Sequence, residues 1–301
     1  MKITFRQFEA FDAVATHGSV TGAARHLGMS QSAVSSALKD FQIILKRPLF
    51  VPGEGRRLIM TDDGKRMRAR IRSLLIEAGE IERGADAPLE GVLQIGASAS
   101  IAETILPKIC IDFLREYPEV RLRIHTATQG ELFESLTKFQ LEAALIEYFP
   151  DVDGLALIPW CTDELWLVTA PGHVLAGQRN LKLRNLAGMT WCAREPHSSI
   201  TSRLRVFVHE HVGQMHSPFV ATSNEAVRLA TIEGGGIACL SRALVENDIA
   251  RGLLVRLDVR DFNFTRQLSL ARPKAKLRSS LAQAFDAFVL NRGDLSAPHL
   301  R

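Results

Sequence analysis

The feature that most limits what this chain can become is a change of hydrophobic period near "GADAPLEG", Gly84 to Gly91. Before it, apolar residues recur at helical spacing; after it, short apolar runs alternate with amphipathic stretches, the pattern of strands and helices taking turns. The 301 residues are enough for two or three domains. The stretch between the two patterns reads as a hinge.

In the first part, Phe5, Phe8, Phe11 and Val14 to Ala15 form the inward stripe of a helix that Gly18 ends. Ser19 is placed to cap a second helix, "VTGAARHL", whose Ala23, Ala24 and Leu27 turn inward with little bulk. Gly28 and Met29 turn the chain into a third helix, capped by Ser30. On that helix Val34, Ala37, Leu38 and Phe41 share one face, and Ser32, Ser35, Ser36 and Lys39 share the other. A helix with a small, polar outer face can approach something bulky and still exchange hydrogen bonds with it. Two short helices joined by a glycine-containing turn, the second so faced, are the pattern of a helix-turn-helix. The partner that fits is the major groove of DNA.

After this comes "VPGEGRRLIMT", turn residues between short extended pieces, which reads as a hairpin or wing. Arg56 and Arg57 would lie at its tip, suited to phosphate or to the minor groove. Lys46 to Arg72 holds nine basic residues against three acidic ones, a local surplus of six that exceeds the +4 of the whole chain. A pI near 9.0 permits an anionic partner, and this segment says where it would bind. Asp62 to Arg83 then reads as one long helix with Met67, Ile71, Leu74, Leu75, Ala78 and Ile81 along a heptad-like seam. Its natural cover is a second copy of the chain; packing on its own domain is the alternative.

Beyond the hinge the strands "VLQIGAS", "VRLRIHTA", "LEAALIE", "LWLVTAP", "MTWCARE", "PFVATS" and "GIACLS" alternate with helices, including one from Ser199 to Val212 and a last one in "LRSSLAQAFDAFVL". This is an α/β architecture of parallel strands, long enough for two lobes, whose ligands would sit at strand C-termini near helix N-termini. Ser98 and Ser100 follow a strand and open a helix, so they could hold a carboxylate or similar anion; simple capping by Ser100 is the competing reading.

"FRQFEAFDAVATHGSVTGAARHLGMSQSAVSSALKDFQIILKRPLF" with "LIMTDDG", and more weakly "LQIGAS", "LPKICIDFLREYPEVRL", "WLVTAPGHVLAG" and "SNEAVRLATIEGGGIACLS", resemble the LysR-type transcriptional regulators in order and almost in spacing. The resemblance implies a winged helix-turn-helix over 1–61, a linker helix over 62–85 that dimerises, a hinge over 86–91, and over 92–295 a two-lobed α/β effector domain resembling type 2 periplasmic binding proteins. It implies a homodimer, or a tetramer built from two dimers, on a partly palindromic operator in double-stranded DNA. It also implies control by a small effector, with RNA polymerase as a further partner if the outcome is activation.

By position, Gln31, Ser32, Ser35, Ser36 and Lys39 would face the groove and Arg56 and Arg57 would sit on the wing. Ser98, Ser100, Thr128, Gln129 and the loop with Ser198, Ser199 and Thr201 would line the effector cleft. An organic acid is the effector chemistry suggested by polar helix N-termini. Departures from the family pattern are Ser36 in place of a frequent arginine, Lys46 in place of a glycine, a wing one residue longer, and "HSSI" where two glycines are frequent. Added side chains there narrow that side of the cleft.

Other features point away from catalysis. Gly234 to Gly236 lacks any phosphate-loop context and reads as a helix-to-strand turn. His209 and His211 lie two apart on a helix, about 200° around, and cannot share a metal. No GxSxG, HExxH or comparable signature occurs, so we expect neither an enzyme nor a bound metal or cofactor. No apolar run reaches the length of a membrane span and the N-terminus has no cleavable leader, which leads us to expect a cytoplasmic protein. Cys110, Cys161, Cys192 and Cys239 show no metal spacing. Two alternatives stay open: a thiol-based redox sensor, with Cys192 best placed, and a small-molecule binding protein whose N-terminal domain serves assembly.

Overall fold

The computed structural model describes residues 2–53, 57–84, 88–147, 151–260, 262–274 and 278–292. Its N-terminal part is a helical triad, α1 (Phe5–His17), α2 (Val20–Leu27) and α3 (Gln31–Leu45), followed by an antiparallel hairpin of β1 (Phe50–Pro52) and β2 (Leu58–Met60). Ser19 accepts from the Gly22 amide and Ser30 from the Ala33 amide, while Gly18 and Gly28 end the preceding helices in the left-handed region. Each cap satisfies an amide that would otherwise be orphaned, at about 1 kcal/mol.

Phe11, Val14, Val34, Phe41 and Leu49 are fully buried in this core, and Phe8 and Phe11 meet Phe41 edge-on at 5.6 and 5.9 Å. Phe5, expected in the stripe, is 49% exposed. It occupies the first turn of α1, where its ring reaches Phe8 and stops short of the core.

The long helix α4 (Asp62–Arg83) starts against the wing. A Cβ at Gly64 would lie 2.4 Å from the Leu49 carbonyl oxygen, so only glycine allows the approach. The expected single seam divides. Ile71 is buried in the helix-turn-helix core with Met67 and Leu75 packed beside it, whereas Leu74 is 41% and Ile81 73% exposed. The turn-by-turn drift of a 3.6-residue helix carries the two sets onto different faces.

The remainder runs β3 (Gly91–Ala97), α5 (Ala99–Ala102), α6 (Leu106–Glu116), β4 (Val120–Thr126), α7 (Gln129–Thr137), β5 (Ala143–Glu147), β6 (Leu155–Thr169), β7 (Thr190–Arg194), α8 (Ser199–His211), β8 (His216–Ala221), α9 (Asn224–Ile232), β9 (Ala238–Ser241), α10 (Arg242–Ala250), β10 (Val255–Arg256), β11 (Phe264–Pro273) and α11 (Ser280–Leu290). The sheet order is β10-β6-β11-β5-β3-β4, with β9 also on β6, and β7 pairs with β8 separately. The expectation of parallel strands throughout needs correction. β3 pairs in parallel with β4 and β5, and β7 with β8, but β11 is antiparallel to both β5 and β6, as β9 and β10 are to β6.

Two long strands, far apart in sequence and paired antiparallel, cause this. β6 and β11 pair from Leu155–Pro273 to Leu165–Phe264 and run through both lobes, with a register shift at Leu268/Ser269. Separate apolar cores lie on either side of that crossing, one around Phe113 and Phe285 and another around Trp191 and Ile237. Gly234 to Gly236 make the expected turn from α9 to the next strand, and a Cβ at Gly236 would meet the Thr190 carbonyl at 2.2 Å.

Candidate functional site

Two surfaces carry the residues singled out from sequence. On α3, Gln31, Ser32, Ser35, Ser36 and Lys39 are all exposed on the side away from Val34, Leu38 and Phe41. Their local bonds are few: Thr21 Oγ1 donates to Gln31 Oε1 at 3.3 Å, Ser30 and Ser32 hydroxyls lie 3.0 Å apart, and Ser36 reaches Asp40 at 3.5 Å. Arg57 is exposed beside the wing; Arg56 lies outside the described residues.

The basic segment has two classes of cation. Arg47 is 65% and Arg66 72% exposed, their ion pairs being with surface Asp63 at 3.4 and 2.5 Å. Such pairs are worth little and yield readily to a phosphate. Arg68, by contrast, is 11% exposed, donating to Asp12 at 3.1 Å and to Thr16 at 2.8 Å, which fastens α4 to α1. Arg72 donates to the Phe139 carbonyl at 2.6 Å. Counting all nine basic residues toward an anionic partner was therefore too generous: these two are committed to the fold.

The second surface lies where the lobes meet. Three donors from three elements converge on one carboxylate oxygen, Glu147 Oε1, at the end of β5: Ser100 Oγ at 3.0 Å, Ser199 Oγ at 3.3 Å and Arg266 Nη1 at 2.9 Å. Arg266 also donates through Nη1 to Ser100 Oγ at 2.8 Å and through Nε to Asp163 Oδ2 at 2.8 Å. Its Nη2 stands 2.7 Å from that same oxygen without hydrogen-bond alignment. Asp163 Oδ1 accepts from Ser241 at 2.7 Å. A second carboxylate, Glu103, accepts from the backbone and side-chain nitrogens of Asn224 at 3.2 and 2.8 Å, at the start of α9.

Of the residues expected in the cleft, Ser100 and Ser199 meet at Glu147, and Gln129 Nε2 donates to its carbonyl at 3.4 Å. Ser98 donates its amide to Leu145, while its hydroxyl is buried without a partner among the described residues. Ser198 is half-buried at the N-cap of α8 and Thr201 is buried within that helix. Thr128 instead caps its own helix with Glu131, its hydroxyl donating to that carboxylate at 2.6 Å and holding it below the usual carboxylate range.

Glu147, Asp163 and Arg266 were absent from the sequence reading. The available signal was acid or base inside runs otherwise apolar or alternating, "ALIE", "CTDELW" and "FTRQLSLA". Such a charge is costly in a strand interior unless it meets its opposite.

All four cysteines are buried, and burial pushes the Cys110, Cys161 and Cys239 thiols up to about 12 and Cys192 upward as well. A peroxide-sensing thiol needs the opposite, an exposed thiolate. Among the described residues no helix is long and apolar enough to cross a membrane.

Comparison with known proteins agrees with this layout. Residues 5–65 match the family model described as bacterial regulatory helix-turn-helix protein, lysR family, and residues 86–294 match the LysR substrate binding domain. The chain is 31% identical over 259 residues, 86% of its length and 87% of the relative's, to the transcriptional regulator YeiE of Escherichia coli K12. Its fold matches a full-length OxyR variant from Pseudomonas aeruginosa with a TM-score of 0.73 at 17% identity, covering 97% and 94% of the two chains. It also matches CbnR complexed with its target DNA with a TM-score of 0.57 at 18% identity, covering 95% and 98%. With a capped helix-turn-helix at one end and a two-lobed substrate-binding fold at the other, the chain belongs to the LysR family of transcriptional regulators.

Proposed function

We propose that this chain binds a specific, partly palindromic DNA site through α3 and that a small molecule held between the lobes of its C-terminal half controls that binding. The observation that carries the reading is the outer face of α3. Five small or flexible polar side chains stand exposed on a helix whose other side is locked into a core of phenylalanines. The major groove admits such a helix, Gln31 and the serines meet base edges and phosphates, and Arg47, Arg57 and Arg66 supply salt-dependent affinity. CbnR, solved on its target DNA, shares the fold, which supports the same use of this domain here.

Leu74 and Ile81 leave an apolar strip on α4 beyond the part covered by its own domain, and a second copy is the partner that fits it. Two recognition helices then enter major grooves one helical turn apart, or a multiple of it. Ligand binding between the lobes changes DNA binding only through a difference in affinity for two arrangements of the dimer.

The test is enrichment of genomic fragments at physiological salt by wild type and by a Ser35→Glu, Ser36→Glu variant. Wild type is expected to retain a few fragments sharing an inverted repeat, and the variant to lose them. Equal, patternless retention by both would reduce the domain to a nonspecific anchor and favour an assembly role.

A further inference from the structure

The polar centre of the inter-lobe cleft is arranged to hold a carboxylate, and a carboxylate is already there. Ser100 Oγ on α5, Ser199 Oγ on α8 and Arg266 Nη1 on β11 all donate to Glu147 Oε1. Carboxylate recognition by proteins uses this same combination of hydroxyls and a guanidinium. Because Ser199 belongs to the lobe opposite β5, the contact also ties the lobes together.

We propose that Glu147 is a tethered stand-in for the acid group of the effector: a small organic acid enters the cleft by taking these donors and releasing the Glu147 side chain. This rests on the reading of the cleft as the effector site and names the ligand's chemistry.

Three observations favour Glu147 as the group that leaves. Arg266 faces two carboxylates, and Asp163 is the more deeply buried, 4% exposed and held through both of its oxygens by Arg266 and Ser241, whereas the three donors to Glu147 all meet a single oxygen. Glu147 is 15% exposed, so its carboxylate has a path toward water that Asp163 lacks. Exchange of one carboxylate for another also keeps the charge around buried Arg266 constant, which avoids the cost of stranding a guanidinium. The release unties Ser199 from β5, so ligand entry is coupled to lobe position. Glu103 on Asn224 then remains as the second carboxylate across the cleft.

A purely structural role for Glu147 makes a different prediction from a stand-in role. If its carboxylate occupies an acid site, removing the side chain empties that site for a free acid. The experiment follows thermal unfolding of full-length wild type and Glu147→Ala in acetate, with chloride replacing acetate at constant ionic strength. Glu147→Ala is expected to gain about 2–4 °C in a saturable acetate titration while wild type stays flat. Adding Ser100→Ala is expected to abolish the gain.

A flat titration of the folded Glu147→Ala variant, or an equal rise in wild type, overturns the proposal. Should Glu147→Ala fail to fold, Glu147→Ser also vacates the acid position while keeping a polar side chain, and a flat acetate titration there overturns it equally. The readout involves no DNA, so failure of DNA recognition and failure of this assignment are told apart.

Discussion

Replacing Arg266 with methionine keeps most of the side chain's length and removes the only cation among the described residues that contacts both Asp163 and Glu147. Asp163 is then a carboxylate at 4% exposure with Ser241 as its remaining donor, and Glu147 at 15% exposure keeps only the two serines. Breaking a buried ion pair by deleting one partner costs about 3–5 kcal/mol, because the remaining charge is left uncompensated. With a urea m-value of about 2–3 kcal/mol/M, the unfolding midpoint of the regulatory half falls by about 1–2 M.

Tryptophan fluorescence reads this half selectively, since Trp160, Trp166 and Trp191 all lie beyond β5. Adding Asp163→Asn and Glu147→Gln to Arg266→Met removes the stranded charges and is expected to recover most of the loss. A midpoint for Arg266→Met within experimental error of wild type would refute the claim that this network is buried and charge-balanced.

Further outcomes follow from single positions. Gly64→Ala puts a methyl 2.4 Å from the Leu49 carbonyl oxygen, so α4 must shift on the wing. We expect about 1–3 kcal/mol lost from the DNA-binding half, seen as faster amide exchange in α3, with tryptophan fluorescence unchanged. Lys46 ends α3 with φ of 55°. Lys46→Gly relieves a left-handed cost of about 1 kcal/mol and should slow exchange there. Burial is the largest influence on Glu142 and holds its carboxyl above the ordinary range, against the opposing hydrogen bond from Ser279. A raised acid costs stability once pH passes its unfolded value of about 4.3. Glu142→Gln is therefore expected to be more stable than wild type at pH 7, with the difference vanishing below about pH 4, read by urea unfolding across pH.

Much of the DNA-binding half could be read in advance because its determinants are local. Ser19 and Ser30 cap helices that begin one residue later, Gly18 and Gly28 end helices in the left-handed region, and the two faces of α3 follow from spacing alone. The split of the α4 seam was less accessible: Leu74 and Leu75 point about 100° apart around the helix, and which of the two directions meets the domain core is fixed by tertiary packing.

In the C-terminal half, strands followed by helices were legible, but β11 was not. Its "TRQLS" alternation puts Arg266 on the face that meets Asp163, a partner 103 residues earlier. The contact of Arg266 with Glu147 spans 119 residues and that of Ser199 with Glu147 spans 52. No periodicity reports pairings at such distance. Ser100 was found by its place at a helix start and Ser199 through the family resemblance, while the charged residues they converge on depend on how β6 and β11 cross between the lobes.

The most direct measurement of the central claim is a hydroxyl-radical and methylation-interference footprint on the most strongly enriched fragment. Alpha-helical reading of DNA by a dimer predicts two interfering major-groove patches separated by about 10.5 base pairs or a multiple of it. Both patches should disappear with Ser35→Glu, Ser36→Glu. Uniform protection without patches, unchanged in that variant, would contradict α3 as the element that reads sequence.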